Sequence, residues 1–315
     1  MKMDKKWIAV IAIVVIAIVA CGAYFVMSGD DGTVRIGYLP SDHDSAMYIA
    51  QAQKDYEAQG LKVEYTEFNN GGDLMTAMAS GDIDVGYVGI TPVLSSISKG
   101  VPVKVLSGAQ TEGSALVVAS GASINSIKDL KGKTVATPGD ASIQYMLLQY
   151  ELEKNGMKMS DVTVTSMKVS SMCDALKANK IDAAMVYEPY SSIAESQGYG
   201  KVLKDSGDIL PNHPCCVVAA SDDFIKNHPN ETKIILDIHE KTTKFINENP
   251  SEAAKLLPDS VVPDKNVEAK VLERINFISG LDADYKKSVM DFMNIEVKMG
   301  ILKSPLTEAQ IFANI

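Results

Sequence analysis

The sequence predicts an α/β protein built from two similar lobes. Residues 73–89 and 174–189 follow one plan: a short helix, an abrupt stop, and an apolar strand preceded by an Ile-Asp pair. A helix that ends sharply and leads into a buried strand is typical of a parallel sheet. Because this unit occurs twice at the separation of a domain, we expect two α/β lobes facing each other across a cleft. Such clefts commonly bind small molecules.

The first lobe is predicted to span residues 33–118 and to be completed by residues 219–315. Apolar runs bounded by Gly, Pro and Asn predict strands at 33–38, 61–68, 85–88 and 101–108. A helix is expected from Ser41 to about Ala58, where Gly60 follows it. After residue 222 the chain is predicted to be almost wholly helical, with helix starts at Pro229, Pro250 and Asp264.

The second lobe is predicted to span residues 119–218, with strands at 132–137, 162–167 and 183–186. Residues 114–120 and 216–221 resemble each other as apolar runs that end in Ala-Ser. We predict that these two strands are paired crossovers between the lobes and act as a hinge. Two ordinary core strands are compatible with the same residues.

The N-terminus predicts export. Lys2, Lys5 and Lys6 precede the uncharged apolar run 8–27, which is the pattern of a secretion leader. Small residues before Cys21 are typical of a lipoprotein processing site, whereas an uncleaved anchor is equally compatible with the length of the run. Residues 1–32 are therefore predicted to be leader or anchor plus tether. The remaining chain is expected outside the cytoplasm, held at the outer face of its membrane by a lipid or a helix.

Composition argues against several kinds of partner. The formal net charge is −10 at pH 7, which disfavours nucleic acid. The four cysteines include the vicinal pair Cys215-Cys216 but form no C-x-x-C spacing, and the four histidines form no i,i+4 pair. We therefore expect no metal and no cofactor, and we expect a monomer.

Candidate ligand-binding residues follow the predicted strands at the carboxyl edge of each sheet, where open sheets hold their ligands. Helix starts there present unpaired N–H groups to an oxyanion, although a Ser or Thr at such a place often only caps its own helix. The predicted ligand-binding residues are Ser41, Asp42, Gly89, Ile90, Thr91, Thr111, Glu112, Gly139, Ser142, Gln144, Ser170, Tyr187, Glu188 and His213.

The order of motifs resembles that of ABC-importer binding proteins for nitrate, sulfonate and taurine, which share a fold with proteins of thiamine-pyrimidine uptake. The resemblance covers residues 34–250 and rests on the motifs at 81–86, 100–105, 111–118, 127–136 and 187–189. It implies a two-lobe periplasmic-binding-protein fold of type II and capture of a sulfonate, taurine, nitrate-like anion or related zwitterion. The implied partners are that solute and the subunits of a permease.

Acidic residues at the predicted cleft favour a ligand that also carries a cationic group. Asp42, Asp140 and Glu188 fall at strand ends, and Glu112 lies in another cleft loop. A carboxylate at a helix N-terminus competes with a ligand anion, so these residues suit a zwitterion or a heterocyclic amine. Tyr187 could supply an apolar wall or pack in the core.

Catalysis is the second class of function considered. The resemblance extends to enzymes that form the thiamine pyrimidine, in which a cysteine-rich run and a histidine matter, and residues 213–216 invite that comparison. The longer cysteine run is missing here, and no catalytic triad order or nucleotide-binding loop appears. We therefore predict that the protein is not an enzyme. A receptor's sensor domain would need a further transmembrane helix and a signalling module after the lobes.

Overall fold

The computed structural model of the protein describes residues 32–314. The predicted leader and Cys21 lie outside the described residues. Across residues 32–314, no helix combines the length and the apolar character needed to cross a membrane.

The strands of the described residues form two five-stranded sheets and one two-stranded ribbon. They are β1 Thr33–Tyr38, β2 Lys62–Glu67, β3 Val85–Gly89, β4 Val103–Gly108, β5 Gln110–Thr111, β6 Ser114–Ala119, β7 Thr134–Thr137, β8 Thr163–Ser166, β9 Ala183–Tyr187, β10 Gly200–Asp205, β11 Cys216–Ser221 and β12 Asn276–Phe277. The first sheet has the order β2-β1-β3-β11-β4, the second has the order β10-β6-β9-β7-β8, and β5 pairs with β12. The prediction of an α/β fold with two sheets is confirmed.

Both sheets share one design. In the first, β1 and β3 are parallel, and β11 is antiparallel to β3 and β4. In the second, β7 is parallel to β8 and β9, and β6 is antiparallel to β9 and β10. The strand of each repeated unit, β3 or β9, therefore has one antiparallel neighbour that enters from the other lobe.

The helices fill the connections. They are α1 Ser45–Gln53, α2 Asp55–Ala58, α3 Gly71–Ser80, α4 Ile90–Ser98, α5 Ile143–Lys154, α6 Val169–Lys177, α7 Tyr190–Ser196, α8 Ser206–Ile209, α9 Asp222–Asn227, α10 Pro229–Glu248, α11 Pro250–Leu256, α12 Lys265–Arg274, α13 Ala283–Lys298 and α14 Glu308–Ile311. Local chemistry explains the bounds of α3, because Asn70 accepts the Asp73 N–H at 2.9 Å and Gly81 ends the helix at φ 81°.

The helix predicted from Ser41 to Ala58 differs from the structure. A 3-10 turn at Asp42–Asp44 precedes α1, and Lys54, at φ 56°, separates α1 from α2. A lysine in the left-handed region has no signature in the sequence, because this conformation favours Gly or Asn.

The crossover assignment requires a correction. The predicted hinge strands do not pair with each other: β6 lies in the second sheet and β11 in the first. The segments that do pair are shorter and precede each strand. The Glu112 N–H donates to the His213 carbonyl at 3.1 Å, and the Cys215 N–H donates to the Gln110 carbonyl at 3.2 Å. The chain thus changes sheets at 111–113 and 212–215, a few residues before the predicted boundaries at 118 and 218.

The C-terminal helices pack on the first sheet. Ile235 and Ile238 of α10 share a buried cluster with Ile36 of β1 and Val218 of β11. A second buried cluster contains residues of both sheets, including Val88 and Leu116. The two sheets with their helices therefore form one compact unit over residues 34–315.

Candidate functional site

A narrow cavity lies between the two sheets. Its wall is formed by the carboxyl ends of β1, β3, β7 and β9, the starts of three helices and the start of β11. The lining residues are Leu39, Ser41, His43, Asp44, Gly71, Gly89, Pro92, Pro138, Ser142, Ile143, Gln144, Tyr187, Cys215 and Cys216. The space open to the centre of a water molecule is about 40 Å³, which corresponds to roughly three waters. An ion of the size of nitrate suits this space, whereas a larger solute requires the sheets to separate.

Polar contacts hold the lobes together beside this cavity. The Glu188 carbonyl accepts the Ser41 hydroxyl at 3.1 Å and the Asp42 N–H at 3.3 Å. The Tyr190 hydroxyl donates to the Pro40 carbonyl at 3.2 Å. Each bond joins the segment after β1 to the segment after β9 and so connects the two sides of the cavity.

Helix starts make the cavity suitable for an anion. α3 begins at Gly71, α4 follows its N-cap Gly89 and α5 follows its N-cap Ser142, and these three residues line the wall. The Ser142 hydroxyl accepts the Tyr145 N–H, but no side chain caps α4. Unpaired N–H groups and the helix dipole together attract negative charge. Among the described residues that line the cavity there is no lysine or arginine, so apart from His43 these backbone groups supply its positive potential.

Three soft ligand atoms meet at the cavity wall. His43 Nδ1 lies 3.7 Å from Cys215 Sγ and 3.6 Å from Cys216 Sγ, and all three residues are buried. Burial raises the pKa of Cys215. The hydrogen bond from Cys216 and the adjacent His43 together lower this pKa by a larger amount, so it lies well below its usual value. Burial lowers the pKa of His43, but the charge of Cys215, the hydrogen bonds to Cys215 and the Gly113 carbonyl, and the Asp44 charge together raise it above its usual value.

The directions of these two pKa shifts favour a charged Cys215–His43 pair. Such a pair can hold a soft cation after losing the imidazole proton, and a thiolate is also a nucleophile. Asp44 adds a carboxyl group at the same wall, where its Oδ2 accepts the Leu39 N–H at 2.9 Å. Burial raises the pKa of Asp44 to about 8.

Five of the sequence-predicted site residues line this cavity: Ser41, Gly89, Ser142, Gln144 and Tyr187. Ile90 begins α4 directly behind Gly89, and its N–H donates to the Cys215 carbonyl at 2.7 Å. Gly139 lies in the loop before α5, where its carbonyl accepts the Ser142 hydroxyl. Ser170 lies in the first turn of α6. None of these last three is among the lining residues.

Other predicted site residues have protein partners away from the cavity. The Thr91 hydroxyl donates to buried Glu296 at 2.6 Å. The Glu188 carboxylate accepts the N–H and hydroxyl of Ser192 and so caps α7. Glu112 accepts the Asn212 N–H at 2.6 Å between the two crossover segments.

The remaining predicted residues also lie outside the cavity wall. Thr111 accepts a hydrogen bond from Asn276 at 3.0 Å, beside the β5–β12 ribbon. The His213 ring stacks on Phe292 with 6.1 Å between ring centroids. Asp42 is fully buried and lies beside Glu268, and burial raises the pKa of both carboxyls, that of Glu268 to about 7.

Sequence reasoning missed His43, Asp44, Cys215 and Cys216. It chose His213 from the His-Pro-Cys-Cys run, whereas the histidine that reaches the thiols is 172 residues from Cys215 in sequence. The vicinal cysteines were the available signal. The expectation that no metal binds rested on sequence spacing, and spacing cannot detect a cluster assembled from distant segments.

Comparison with known proteins agrees with this fold. The NMT1-like family matches residues 28–258. The chain is 26% identical over 289 residues to a Bacillus subtilis protein named for binding aliphatic sulfonates, covering 89% of this chain and 86% of that protein. It is 28% identical over 221 residues to the taurine-binding periplasmic protein of Escherichia coli, covering 69% of this chain and 67% of that protein.

One further relative is an enzyme, and one solved structure fixes the fold. A 4-amino-5-hydroxymethyl-2-methylpyrimidine phosphate synthase of Schizosaccharomyces pombe is 28% identical over 235 residues, covering 70% of this chain and 67% of that protein. An alkanesulfonate-binding protein of Xanthomonas axonopodis, bound to MOPS, superposes with a TM-score of 0.80 at 19% identity, covering 90% of this chain and 99% of that one. The predicted periplasmic-binding-protein fold of type II is confirmed.

Proposed function

This chain belongs to the NMT1-like family, and from that premise we propose that it is an extracytoplasmic solute-binding protein of an ABC importer. In this proposal residues 1–32 hold it at the outer face of the cytoplasmic membrane, through a lipid on Cys21 or an uncleaved helix. The two lobes capture one small polar solute and deliver it to permease subunits. The sulfonate- and taurine-binding relatives support this role.

The observation that carries the proposal is the cavity with three helix starts and, among the described residues of its wall, no lysine or arginine. Backbone N–H groups bind a sulfonate or nitrate group at low desolvation cost and with fixed geometry. We infer that the solute's anionic group faces the starts of α3, α4 and α5.

From Asp44 we infer that the solute is a zwitterion, with a cationic group as well as the anionic one. Among the described residues that line the cavity, it is the one that carries a carboxyl group. A ligand ammonium beside it favours its ionised form and gains a charge-assisted hydrogen bond. An aminosulfonate such as taurine therefore has one group for the helix starts and one for Asp44, once the sheets separate enough to admit it. The four acids predicted from the sequence do not take this role, because Glu112 and Glu188 bond to protein groups and neither Asp42 nor Asp140 lines the wall.

Calorimetric titration of the full chain in detergent tests both inferences. The solutes are taurine, ethanesulfonate, nitrate and 4-amino-5-hydroxymethyl-2-methylpyrimidine, the last because of the pyrimidine synthase relative. We expect saturable binding of one taurine or ethanesulfonate per chain. Binding of the pyrimidine alone would favour a thiamine-precursor binding protein, and binding of none would contradict the proposal.

A matched pair of variants tests whether Asp44 binds the cationic group of the solute. Asp44→Asn removes the carboxyl group that ionises beside a ligand ammonium, whereas Asp140→Asn removes an exposed charge in the loop before α5. A lost charge-assisted bond costs about 1.5–3 kcal/mol, so Asp44→Asn weakens taurine binding by roughly one to two decades. Ethanesulfonate, which lacks the ammonium, keeps its affinity, and Asp140→Asn changes neither. Equal losses for both solutes in Asp44→Asn would exclude the zwitterion inference.

A further inference from the structure

The distances at the cavity wall match those between ligands of a tetrahedral zinc ion. Zn–S bonds are about 2.3 Å and Zn–N bonds about 2.0–2.1 Å, so sulfur and nitrogen ligands at the tetrahedral angle lie roughly 3.6 Å apart. His43 Nδ1 lies 3.7 Å from Cys215 Sγ and 3.6 Å from Cys216 Sγ, and the three atoms all lie within 4.8 Å of one another. Little rearrangement is needed for the three to share one ion.

The other imidazole nitrogen is fixed in the manner of a metal-binding histidine. His43 Nε2 lies 2.8 Å from the Gly113 carbonyl, so the proton stays on Nε2 and Nδ1 faces the thiols. The absence of a side chain at residue 113 is required, because a Cβ there would lie 2.6 Å from His43 Nε2. Gly113, in the crossover segment 111–113, thus fixes the orientation of the His43 ring through the nitrogen that faces away from the thiols.

Backbone hydrogen bonds fix the two cysteines at the edge of the first sheet. The Cys215 carbonyl accepts the Ile90 N–H at 2.7 Å, and the Cys216 N–H donates to Gln110 Oε1 at 2.7 Å. Cys216 is also the first residue of β11, opposite Gly89. The thiol positions are therefore set by the sheet and do not depend on a mobile loop.

We propose that His43, Cys215 and Cys216 bind one zinc-class divalent ion whose fourth coordination position opens into the cavity. Two thiolates and one imidazole select zinc over magnesium or calcium, which prefer oxygen ligands. Three protein ligands with one open position is the arrangement of zinc sites that also coordinate water or a substrate. Binding requires Nδ1 and both sulfur atoms to be deprotonated, so it releases whatever protons these three atoms carry. The site does not depend on the identity of the transported solute.

Zinc retention by the full chain is the direct test. The reduced protein in detergent is freed of metal, incubated with Zn²⁺, passed through a desalting column and analysed for zinc and protein. We expect one zinc per chain without added solute. Loading with Co²⁺ gives thiolate-to-cobalt charge-transfer absorption, which reports sulfur ligands directly.

Cys173 provides the matched control. It is a buried free cysteine on α6 of the second lobe, and it is not part of the cluster. Cys215→Ser, Cys216→Ser and His43→Gln each lower zinc affinity by at least about tenfold, the low end for a lost ligand or supporting group, whereas Cys173→Ser keeps it. Absence of zinc from the reduced wild type, or equal loss in Cys173→Ser, would overturn the proposal.

A measurement on the wild type guards against variants that fail to fold. Timed alkylation followed by peptide mapping reads each cysteine separately, with and without Zn²⁺. Zinc is expected to slow labelling of Cys215 and Cys216 and to leave the rates at Cys173 and Cys21 unchanged. Unchanged labelling of the pair, or isolation of the pair as a vicinal disulfide that resists reduction, would contradict the site. Because no solute is present, failure of the proposed transport function does not affect either result.

Discussion

In each lobe, the strand of the repeated unit has one antiparallel neighbour. The two lobes differ in the residue pair that these two strands place at the cleft. In the first lobe Cys216 of β11 stands opposite Gly89 of β3. In the second, Ser114 of β6 stands opposite Tyr187 of β9. A glutamine bonds to each antiparallel strand: Gln110 accepts the Cys216 N–H, and Gln144 donates to the Ser114 hydroxyl.

The comparison shows how two lobes of the same topology present different functional groups to the cavity. The shared topology fixes where a side chain meets the cavity, and residue identity decides what it does there. A thiol beside a glycine leaves room for His43 and an ion, whereas a hydroxyl beside a tyrosine gives a neutral, filled wall. The first lobe therefore supplies the reactive side of the cavity.

Adding a side chain at Gly89, on the first-lobe side of the cavity, has the largest expected effect. Gly89→Val puts side-chain atoms toward α5 of the other lobe, since a Cβ at residue 89 would already lie 3.2 Å from Ile143 Cδ1. The variant holds the cleft apart, and affinity for every bound solute falls by about 100-fold, or 2.7 kcal/mol. Titration calorimetry measures this. Gly121→Ala, where a Cβ meets nothing within 4 Å, is the control. Unchanged affinity in Gly89→Val would place the solute outside this cavity.

The helices that follow β3 and β9 differ in the carboxyl group that is hydrogen-bonded to their first turn. Under α4, the Thr91 hydroxyl donates to Glu296, whose other oxygen has no hydrogen-bond partner among the described residues. Burial raises the pKa of Glu296 from 4.5 to about 7, although the Thr91 bond lowers it in part. Under α7, the Glu188 carboxylate instead accepts two hydrogen bonds from Ser192.

A raised carboxyl pKa makes the fold less stable as pH rises. Glu296 binds its proton more tightly in the folded state, so its contribution is complete below pH 4.5 and is lost by about pH 7. Glu296→Gln should remove this loss, which amounts to roughly 2–3 kcal/mol of unfolding free energy. Denaturant unfolding at several pH values measures it. Exposed Glu252→Gln serves as control, and a pH slope equal to that of the wild type in Glu296→Gln would exclude the assignment.

Glu188 gives the smallest effect. Glu188→Gln keeps one acceptor for Ser192 but loses the charge at the start of α7, which costs about 1 kcal/mol of stability. Solute affinity stays unchanged, because the carboxylate is already used by the helix. Ser192→Ala should cost a similar amount, and the double variant little more. A selective loss of taurine affinity in Glu188→Gln would instead restore the role that the sequence predicted.

Regular elements were predictable because their signals are local. The repeated helix-to-strand units and the helical C-terminal segment follow from periodicity, caps and glycine stops. The crossovers were misplaced because residues 114–119 and 216–221 have the pattern of buried strands in either lobe. The short polar segments that pair, at 110–112 and 213–215, have no strand pattern of their own.

The site was predictable only where it follows a strand end. Gly89 and Tyr187 line the cavity because they end strands at the carboxyl edge of a sheet, and Ser142 lines it as the cap of the helix that follows β7. His43 joins Cys215 through a contact that links distant segments, and burial and hydrogen bonding decide which histidine faces the thiols. One sequence contains no record of such long-range packing.

Native mass spectrometry of the full chain, released gently from detergent, tests the central claim most directly. The account predicts one small solute per chain, displaced by excess taurine or ethanesulfonate, and absent from Gly89→Val purified in the same way. A wild-type protein that carries no solute and acquires none from either sulfonate, nitrate or the pyrimidine would contradict a solute-binding function for this cleft.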